Sequence, residues 1–165
     1  MKRSTLLIIF LLISYLFCSA QNIPSVKIKD LNDREFDTAS LKDSGKPVII
    51  SFFALWCKQC IKELDAIHQI YNEWQEETGV KIYIVSTDDQ NNSSKTKSII
   101  KEHNWQYEIL LDSEGIFKQA MNVNLIPAVF IADENGKIVF SRTGYTEGAE
   151  KQLITEIRKI LSKKE

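Results

Sequence analysis

The chain has 165 residues, of which 44% are hydrophobic and 26% are charged, which suits one globular domain that buries a core. Its 21 basic and 22 acidic side chains leave a formal net charge of -1, so no summed field draws the protein to nucleic acid or to an anionic membrane. The composition argues against a disordered chain and against a second domain.

The first twenty residues differ sharply from the rest of the chain. Lys2 and Arg3 precede an uninterrupted apolar run from Leu6 to Leu12, which is the layout of a secretory signal peptide. We predict a signal peptide over residues 1–20 and a single domain over residues 21–165. The protein is therefore expected to be extracytoplasmic, in the periplasm or the cell envelope.

Two alternatives to cleavage involve membrane attachment. A permanent membrane anchor is the weaker hypothesis, because the apolar run is about a dozen residues and a membrane-spanning helix needs roughly twenty. Lipid attachment at Cys18 is disfavoured by the bulky Phe17 before it, where lipoprotein signals usually carry a small residue. Cleavage after Ala20 would leave only Cys57 and Cys60 in an oxidising compartment, which favours disulfide chemistry.

The first predicted elements are a hairpin and a buried strand. Residues Val26 to Leu31 alternate like a short strand, and Asn32-Asp33 supply a turn before Glu35 and Phe36, which predicts a small lead-in hairpin. The run Val48 to Phe53 is continuously β-branched or aromatic apart from one serine. It predicts a strand buried on both faces, at the centre of the sheet.

A helix is predicted from Lys58 to Thr78, closed by Gly79. Its apolar residues recur at steps of four and three, which places them on one stripe: Cys60, Leu64, Ile67, Tyr71 and Trp74. The cysteine pair therefore lies where the buried strand turns into this helix.

The rest of the chain alternates between strand and helix patterns, which predicts a mainly parallel α/β sheet. The expected strands are Lys81 to Ser86, Tyr107 to Leu111, Ala128 to Ala132 and Lys137 to Ser141, the last two joined at Asn135-Gly136 as an antiparallel hairpin. The expected helices are Ser93 to Asn104, Gly115 to Met121, and a final one with Leu153, Ile154, Ile157 and Leu161 facing inward.

The spacing of Cys57 and Cys60 suits a bond that is made and broken repeatedly. Residues three apart at a helix start are neighbours, so their sulfurs can reach disulfide distance without moving the backbone. Free N–H groups and the helix dipole stabilise a thiolate at the first turn. We expect Cys57 to attack, and the more buried Cys60 to resolve the mixed disulfide.

A pair of cysteines at this spacing could also be half of a zinc site or a static cross-link. Zinc needs two further ligands, and the only histidines are His68 and His103. His68 would lie about 12 Å beyond Cys60 along the predicted helix, too far to share a metal. No metal, nucleotide or flavin cofactor is expected.

The strand Val48 to Phe53, the motif Trp56-Cys57-Lys58-Gln59-Cys60 and the later Ile126-Pro127 resemble a thioredoxin-fold protein. The signal peptide, the long interval from Cys57 to Pro127, and Glu63 resemble the TlpA/ResA-like thiol-disulfide oxidoreductases. The resemblance implies a thioredoxin-like α/β fold: a central mixed sheet flanked by helices, with an extra strand-helix insertion that includes the predicted helix Ser93 to Asn104.

The resemblance also implies roles for residues around the cysteines. Glu63 would join the thiol chemistry, with desolvation raising its pKa; the alternative is an exposed acid at the helix start. Pro127 matches the family's cis-proline, which with Ile126 would offer backbone to an extended substrate; the alternative is a plain structural proline. Trp56 is expected to pack beside the site and, with Lys58 and Gln59, to contact substrate.

Three positions depart from the pattern of the relatives. Ser51 replaces the buried aspartate of thioredoxin, so proton handling should depend more on Glu63 or water. Lys58 adds positive charge beside Cys57, which should stabilise its thiolate and raise the reduction potential. Asp65 stands where many relatives have a helix-kinking proline, so this helix is expected to run straighter.

The residues and the resemblance together predict an exported thiol-disulfide oxidoreductase that acts on protein substrates, as a reductant, in cytochrome c maturation or redox homeostasis. We expect a monomer whose dithiol is restored by a membrane donor. A thiol peroxidase is one alternative, although Ile50 and Ala54 occupy the places of the peroxiredoxin proline and threonine. The other alternative is a non-catalytic binding module in which Cys57 and Cys60 form a structural disulfide.

Overall fold

The computed structural model describes residues 21–163, so the predicted signal peptide and Cys18 lie outside the described residues. This part of the chain forms seven strands and five α-helices. The strands are β1 (Lys27–Asp30), β2 (Glu35–Asp37), β3 (Val48–Phe53), β4 (Lys81–Ser86), β5 (Glu108–Leu111), β6 (Ala128–Ala132) and β7 (Ile138–Thr143). The helices are α1 (Lys58–His68), α2 (Tyr71–Thr78), α3 (Ser93–Glu102), α4 (Ile116–Ala120) and α5 (Glu150–Ser162). Within residues 21–163 no helix has the length and apolar character to cross a membrane.

All seven strands join one mixed sheet in the order β2-β1-β5-β4-β3-β6-β7. Strands β3, β4 and β5 run parallel, whereas the β1–β2 and β6–β7 hairpins pair antiparallel at the two ends. This confirms the predicted mixed sheet of the fold class and both hairpins. The expectation of a mainly parallel sheet is wrong, because β1–β2, β1–β5, β3–β6 and β6–β7 all pair antiparallel. The middle position belongs to β4, while β3 lies next to it between β4 and β6.

Strand β3 contributes to the core on both faces of the sheet. Every residue of Val48–Phe53 is buried, as its continuous apolar pattern predicts. Ile49 and Phe53 pack with residues of α1, α2 and α5, whereas Ile50 and Phe52 pack on the other face with residues that include those of α4. Helices therefore cover both faces, and β3 fixes the point at which the next residues leave the sheet.

The single helix predicted from Lys58 to Thr78 is wrong, because α1 ends at His68 and α2 begins at Tyr71. Ile70 has φ -123° and ψ 2°, which interrupts the helix. The apolar stripe nevertheless stays buried across the break, with Ile67 at 0% and Tyr71 at 3% exposure. Because the buried spacing hardly changes, apolar periodicity alone does not reveal the interruption.

Asp65 lies inside the continuous helix α1, and the expectation that this helix runs straighter without a proline there stays a prediction. The Asp65 carboxylate oxygen Oδ1 lies 2.7 Å from His103 Nδ1 and accepts a hydrogen bond of 2.9 Å from the Trp105 indole. These contacts join α1 to the segment between α3 and β5, which are the helix and the strand of the predicted insertion. The insertion is confirmed, although α3 ends at Glu102 because Asn104 takes a left-handed conformation with φ 53°.

Candidate active site

The cysteine pair occupies the N-terminus of α1, as the sequence predicts. Cys57 is the N-cap residue, and its sulfur accepts a hydrogen bond of 3.2 Å from the Cys60 N–H. The two residues form a disulfide with their Cα atoms 5.3 Å apart. Cys57 is 6% exposed and Cys60 is 1% exposed, so both residues are buried, and Cys57 is the slightly more exposed of the two.

The loop that carries the pair is fixed by an aspartate that sequence reasoning missed. Asp88 follows β4 and accepts the Leu55 N–H on both carboxylate oxygens, at 3.2 and 3.0 Å. The hydroxyl of Ser86 donates to the same carboxylate at 2.9 Å. An acid just past the carboxyl end of a buried parallel strand was the available signal, because neighbouring parallel strands end at the same edge of the sheet.

The cis peptide bond before Pro127 is present in the structure. Ala128 pairs with Phe52, so the start of β6 lies beside the end of β3, a few residues before Cys57. The Pro127 carbonyl accepts the Gly144 N–H at 2.8 Å, which joins this loop to the end of β7. The structure thus brings Pro127 and the cysteine loop to one edge of the sheet.

The surface beside the disulfide carries an exposed aromatic residue. Trp56 is 75% exposed, so the expectation that it packs beside the site is wrong. Lys58 and Gln59 are also exposed, and Ile126 is half-buried. Leu125, which sequence reasoning missed, is 70% exposed next to Ile126; an isolated leucine in a loop gives no sequence signal of exposure.

Glu63 is buried rather than exposed. Its side chain is 0% exposed, and its Oε1 accepts a hydrogen bond from Arg142 Nη2. Burial raises the pKa of Glu63 and the nearby Glu150 adds to this, whereas the Arg142 guanidinium acts in the opposite direction. The alternative that Glu63 is an exposed surface acid is therefore wrong. Glu63 lies one helical turn after Cys60 on the same face of α1.

Sequence reasoning missed Arg142, because it is 79 residues away from Glu63 in the chain. Its Nη1 also donates to the Gly144 carbonyl at 2.9 Å, and its guanidinium lies 6.0 Å from the Tyr145 ring centre. Arg142 is half-buried in β7 between two exposed residues, a burial pattern that only the structure shows. The pair connects α1 to β7.

Among residues 21–163, no group of three or more His, Cys, Asp or Glu residues could hold a metal ion. His103 contacts Asp65, and the ring of His68 lies edge-on to Tyr107 at 6.3 Å. Neither of these contacts involves the cysteine pair. The chemistry that the arrangement supports is that of two sulfurs and one buried carboxyl.

Comparison with known proteins agrees with this geometry. A solution structure of an uncharacterized thioredoxin-like protein from Porphyromonas gingivalis is 51% identical, with a TM-score of 0.76 over 85% of this chain and 92% of that one. The thiol-disulfide oxidoreductase ResA of Bacillus thuringiensis subsp. konkukian (strain 97-27) is 26% identical over 137 residues, 83% of this chain and 75% of its own length. A secreted disulfide oxidoreductase of Mycobacterium tuberculosis shares the fold, with 21% identity and a TM-score of 0.67 over 81% of this chain and 95% of that one.

The sequence pattern of the AhpC/TSA family matches residues 20–141, which is most of the chain. The match covers the cysteine loop, α1 and the cis-Pro127 loop, and the ResA-like relatives add the chemistry of the cysteine pair. The chain belongs to the AhpC/TSA family, and it is a thiol-disulfide oxidoreductase with a thioredoxin-like fold.

Proposed function

We propose that the protein reduces disulfide bonds in other exported proteins through dithiol-disulfide exchange. The observation that carries the proposal is the difference in position between the two cysteines: Cys57 is the N-cap of α1, where its sulfur accepts an N–H, whereas Cys60 lies one turn inside the helix, at 1% exposure against 6% for Cys57. A strong oxidant stabilises its reduced form. Here Cys60 lies in the core near a buried carboxyl, where a thiolate is disfavoured, so the reduced pair gains stabilisation at Cys57 alone. This supports a reductant rather than a strong oxidant.

The exchange begins with the reduced pair. The Cys57 thiolate attacks one sulfur of the substrate disulfide, and the other substrate sulfur leaves as a thiolate that takes up a proton. Cys60 then loses its proton and attacks the Cys57 sulfur, which releases the second substrate sulfur as a thiolate that takes up the proton lost by Cys60. Two electrons and two protons reach the substrate, and the enzyme ends with its Cys57–Cys60 disulfide.

Glu63 is the proposed acceptor of the Cys60 proton. It lies one turn from Cys60 in the core, and burial raises its pKa towards the range in which a carboxyl can exchange protons with a thiol. Ser51 is buried and carries no charge where thioredoxin has its aspartate. The carboxyl at position 63 therefore takes over the proton transfer in this chain.

Substrate binding is assigned to the surface around the disulfide. The backbone at Ile126 and Pro127 would pair with an extended segment of the substrate, in the manner of an added strand. Trp56 would supply an exposed apolar contact, and Lys58 and Gln59 would line the approach to Cys57. An unfolded protein segment next to its disulfide presents the extended backbone and apolar side chains that such a surface accepts.

The cellular setting follows from the N-terminal sequence and the relatives. The signal-peptide pattern supports export, with cleavage proposed after Ala20 and lipid attachment at Cys18 as the alternative. A dithiol that reduces substrates in an oxidising compartment needs a donor, for which a membrane thiol-disulfide protein is proposed. The substrates would be cytochrome c precursors or other exported thiol proteins, and the enzyme would act as a monomer.

The test is the reduction potential of the Cys57–Cys60 couple, together with two variants. A reductant should have a potential of about -270 mV or below, whereas a value near -120 mV would indicate an oxidant. Cys57→Ser should abolish exchange, and Cys60→Ser should trap a mixed disulfide with the substrate. Full exchange activity in Cys57→Ser would disprove the mechanism.

The same samples separate the two alternatives. A thiol peroxidase would consume hydrogen peroxide, but Ala54 gives the site no hydroxyl at the peroxiredoxin threonine position. A binding module would keep its disulfide in mild thiol reductant and still bind its partner. Rapid peroxide turnover would favour the first alternative, and a disulfide that resists reduction would favour the second.

A further inference from the structure

The ion pair between Glu63 and Arg142 is a buried contact that joins the two halves of the site. The side chains are 0% and 15% exposed, respectively. Buried ion pairs often contribute little net stability, because both charges lose their hydration. Stability alone therefore does not account for a carboxylate and a guanidinium placed together one helical turn from a reactive cysteine.

The remaining contacts of Arg142 lead to the substrate side of the site. Its Nη1 donates to the Gly144 carbonyl at 2.9 Å, and the Gly144 N–H donates to the Pro127 carbonyl at 2.8 Å. Arg142 is also opposite Val129 in the β6–β7 register, two residues after Pro127. One side chain thus contacts the cysteine helix through Glu63 and the cis-proline loop through Gly144.

The pairing holds only one of the two carboxylate oxygens. In the described part of the chain, Glu63 Oε2 and Arg142 Nε are both buried without a hydrogen-bond partner. An arginine can bind a carboxylate through two parallel hydrogen bonds, and an unsatisfied buried oxygen is unfavourable. The one-point contact leaves Oε2 as the oxygen that can take up the Cys60 proton.

The other ionisable groups near Glu63 do not offer a replacement for the guanidinium. Glu150 of α5 raises the pKa of Glu63, and its carboxylate accepts the Tyr145 hydroxyl at 2.9 Å. Tyr107 donates its hydroxyl to the Leu64 carbonyl at 2.6 Å. Burial raises the pKa of Tyr107, and the charge of Glu63 adds to this. Arg142 is the cation that opposes burial at Glu63.

We propose that Arg142 is a positioning residue for the thiol chemistry. Its guanidinium fixes Oε1 of Glu63 so that Oε2 exchanges the Cys60 proton, and it holds the Pro127 loop in register with the cysteine helix. This inference rests on the proposed role of Glu63. It assigns to Arg142 a control over proton transfer that does not require contact with the substrate.

The experiment measures the rate at which each thiol of the reduced protein reacts with iodoacetamide between pH 5 and 10, resolved by mass spectrometry. Arg142→Gln removes the opposing charge, so the inflection that depends on Glu63 should move up by roughly 1 to 3 pH units. Arg158→Gln is the matched control, because Arg158 pairs with Glu77 on the exposed surface of α5 and α2. Its profile should equal that of the unmodified protein.

Glu63→Gln and the double variant Glu63→Gln with Arg142→Gln complete the design. Glu63→Gln should remove the inflection, and adding Arg142→Gln should then change nothing further. If Glu63→Gln leaves the profile intact, the proposed role of Glu63 fails, and the role of Arg142 with it. If Glu63→Gln removes the inflection while Arg142→Gln leaves it in place, only the inference about Arg142 is overturned.

Arg142→Lys is the deciding variant if Arg142→Gln does not fold. Lysine keeps the charge but has no planar fork to bridge Glu63 and Gly144. The inflection should stay near its original pH, while exchange with a protein disulfide should slow by about tenfold because the loop is misplaced. Unchanged exchange in a folded Arg142→Lys variant would disprove the positioning role.

Discussion

Replacing Glu63 with glutamine should make the oxidised protein more stable at neutral pH, although the change removes one partner of an ion pair. Burial raises the pKa of Glu63 despite the opposing charge of Arg142. A raised native pKa means that this carboxyl favours folding fully below its unfolded pKa, about 4.3, and loses that contribution as pH rises through the native value. Glutamine resembles the protonated carboxyl in shape and charge. It therefore keeps the contribution to stability that glutamate loses when it ionises.

The magnitude follows from the size of the pKa displacement. Each unit between the unfolded and native pKa corresponds to about 1.4 kcal/mol. The free energies of unfolding of the two proteins should coincide near pH 4 and separate as pH rises through the native pKa of Glu63. Above that pH the two free energies should differ by about 1.4 kcal/mol for each unit by which the native pKa exceeds the unfolded one. Glu63→Gln should be the more stable protein.

The assay is urea unfolding of the disulfide form at several pH values from 4 to 8, followed by tryptophan fluorescence. The oxidised form is used because its cysteines do not titrate. Glu77→Gln is the control, since Arg158 holds the pKa of Glu77 below its usual value. The control should lose stability relative to the unmodified protein as pH rises. A Glu63→Gln variant that is less stable at pH 8 than the unmodified protein would refute the reasoning, because the attraction of Arg142 would then outweigh burial.

Substitutions at three further positions test other contacts. Trp56→Ala should lower kcat/KM for a protein disulfide by about tenfold, which corresponds to a loss of about 1.4 kcal/mol at the interface. The kcat/KM for a small-molecule disulfide should not change, and equal losses with both substrates would refute substrate contact. Asp88→Ala should slow exchange between about 10- and 100-fold by releasing the Leu55 loop, and unchanged kinetics would refute that role. Asp65→Ala should destabilise the fold by about 1 to 3 kcal/mol in urea unfolding, because the Trp105 indole loses its acceptor, whereas Asp65→Asn should retain most of the stability; equal effects would contradict the assignment.

Local patterns in the sequence predict much of the fold. The run Val48 to Phe53 predicts a strand buried on both faces, and Asn135-Gly136 predicts the final hairpin. Both follow from short-range rules of pleating and turn geometry, which operate within a few residues. The placement of Cys57 at a helix start follows from the same kind of rule, because a buried strand directly precedes an apolar stripe of helical period.

Local patterns are weaker where a feature depends on what lies across the core. The apolar period from Lys58 to Thr78 is compatible with one helix or two, since Ile67 and Tyr71 are buried in either case. The Tyr71 hydroxyl accepts the Ile82 N–H at 3.2 Å. That contact places the start of α2 against β4, which the period does not encode.

By itself, the sequence determined the α/β class, the cysteine pair at the head of a helix, and the proline motif that marks the opposite side of the site. Only the tertiary structure decided that Glu63 is paired with Arg142, that Asp88 holds the cysteine loop, and that Trp56 is exposed. These features join residues 33 to 79 positions apart, or depend on what covers a side chain. The physical reason is that the charge and burial of a group are set by its neighbours in space, whereas periodicity reports only its neighbours in the chain.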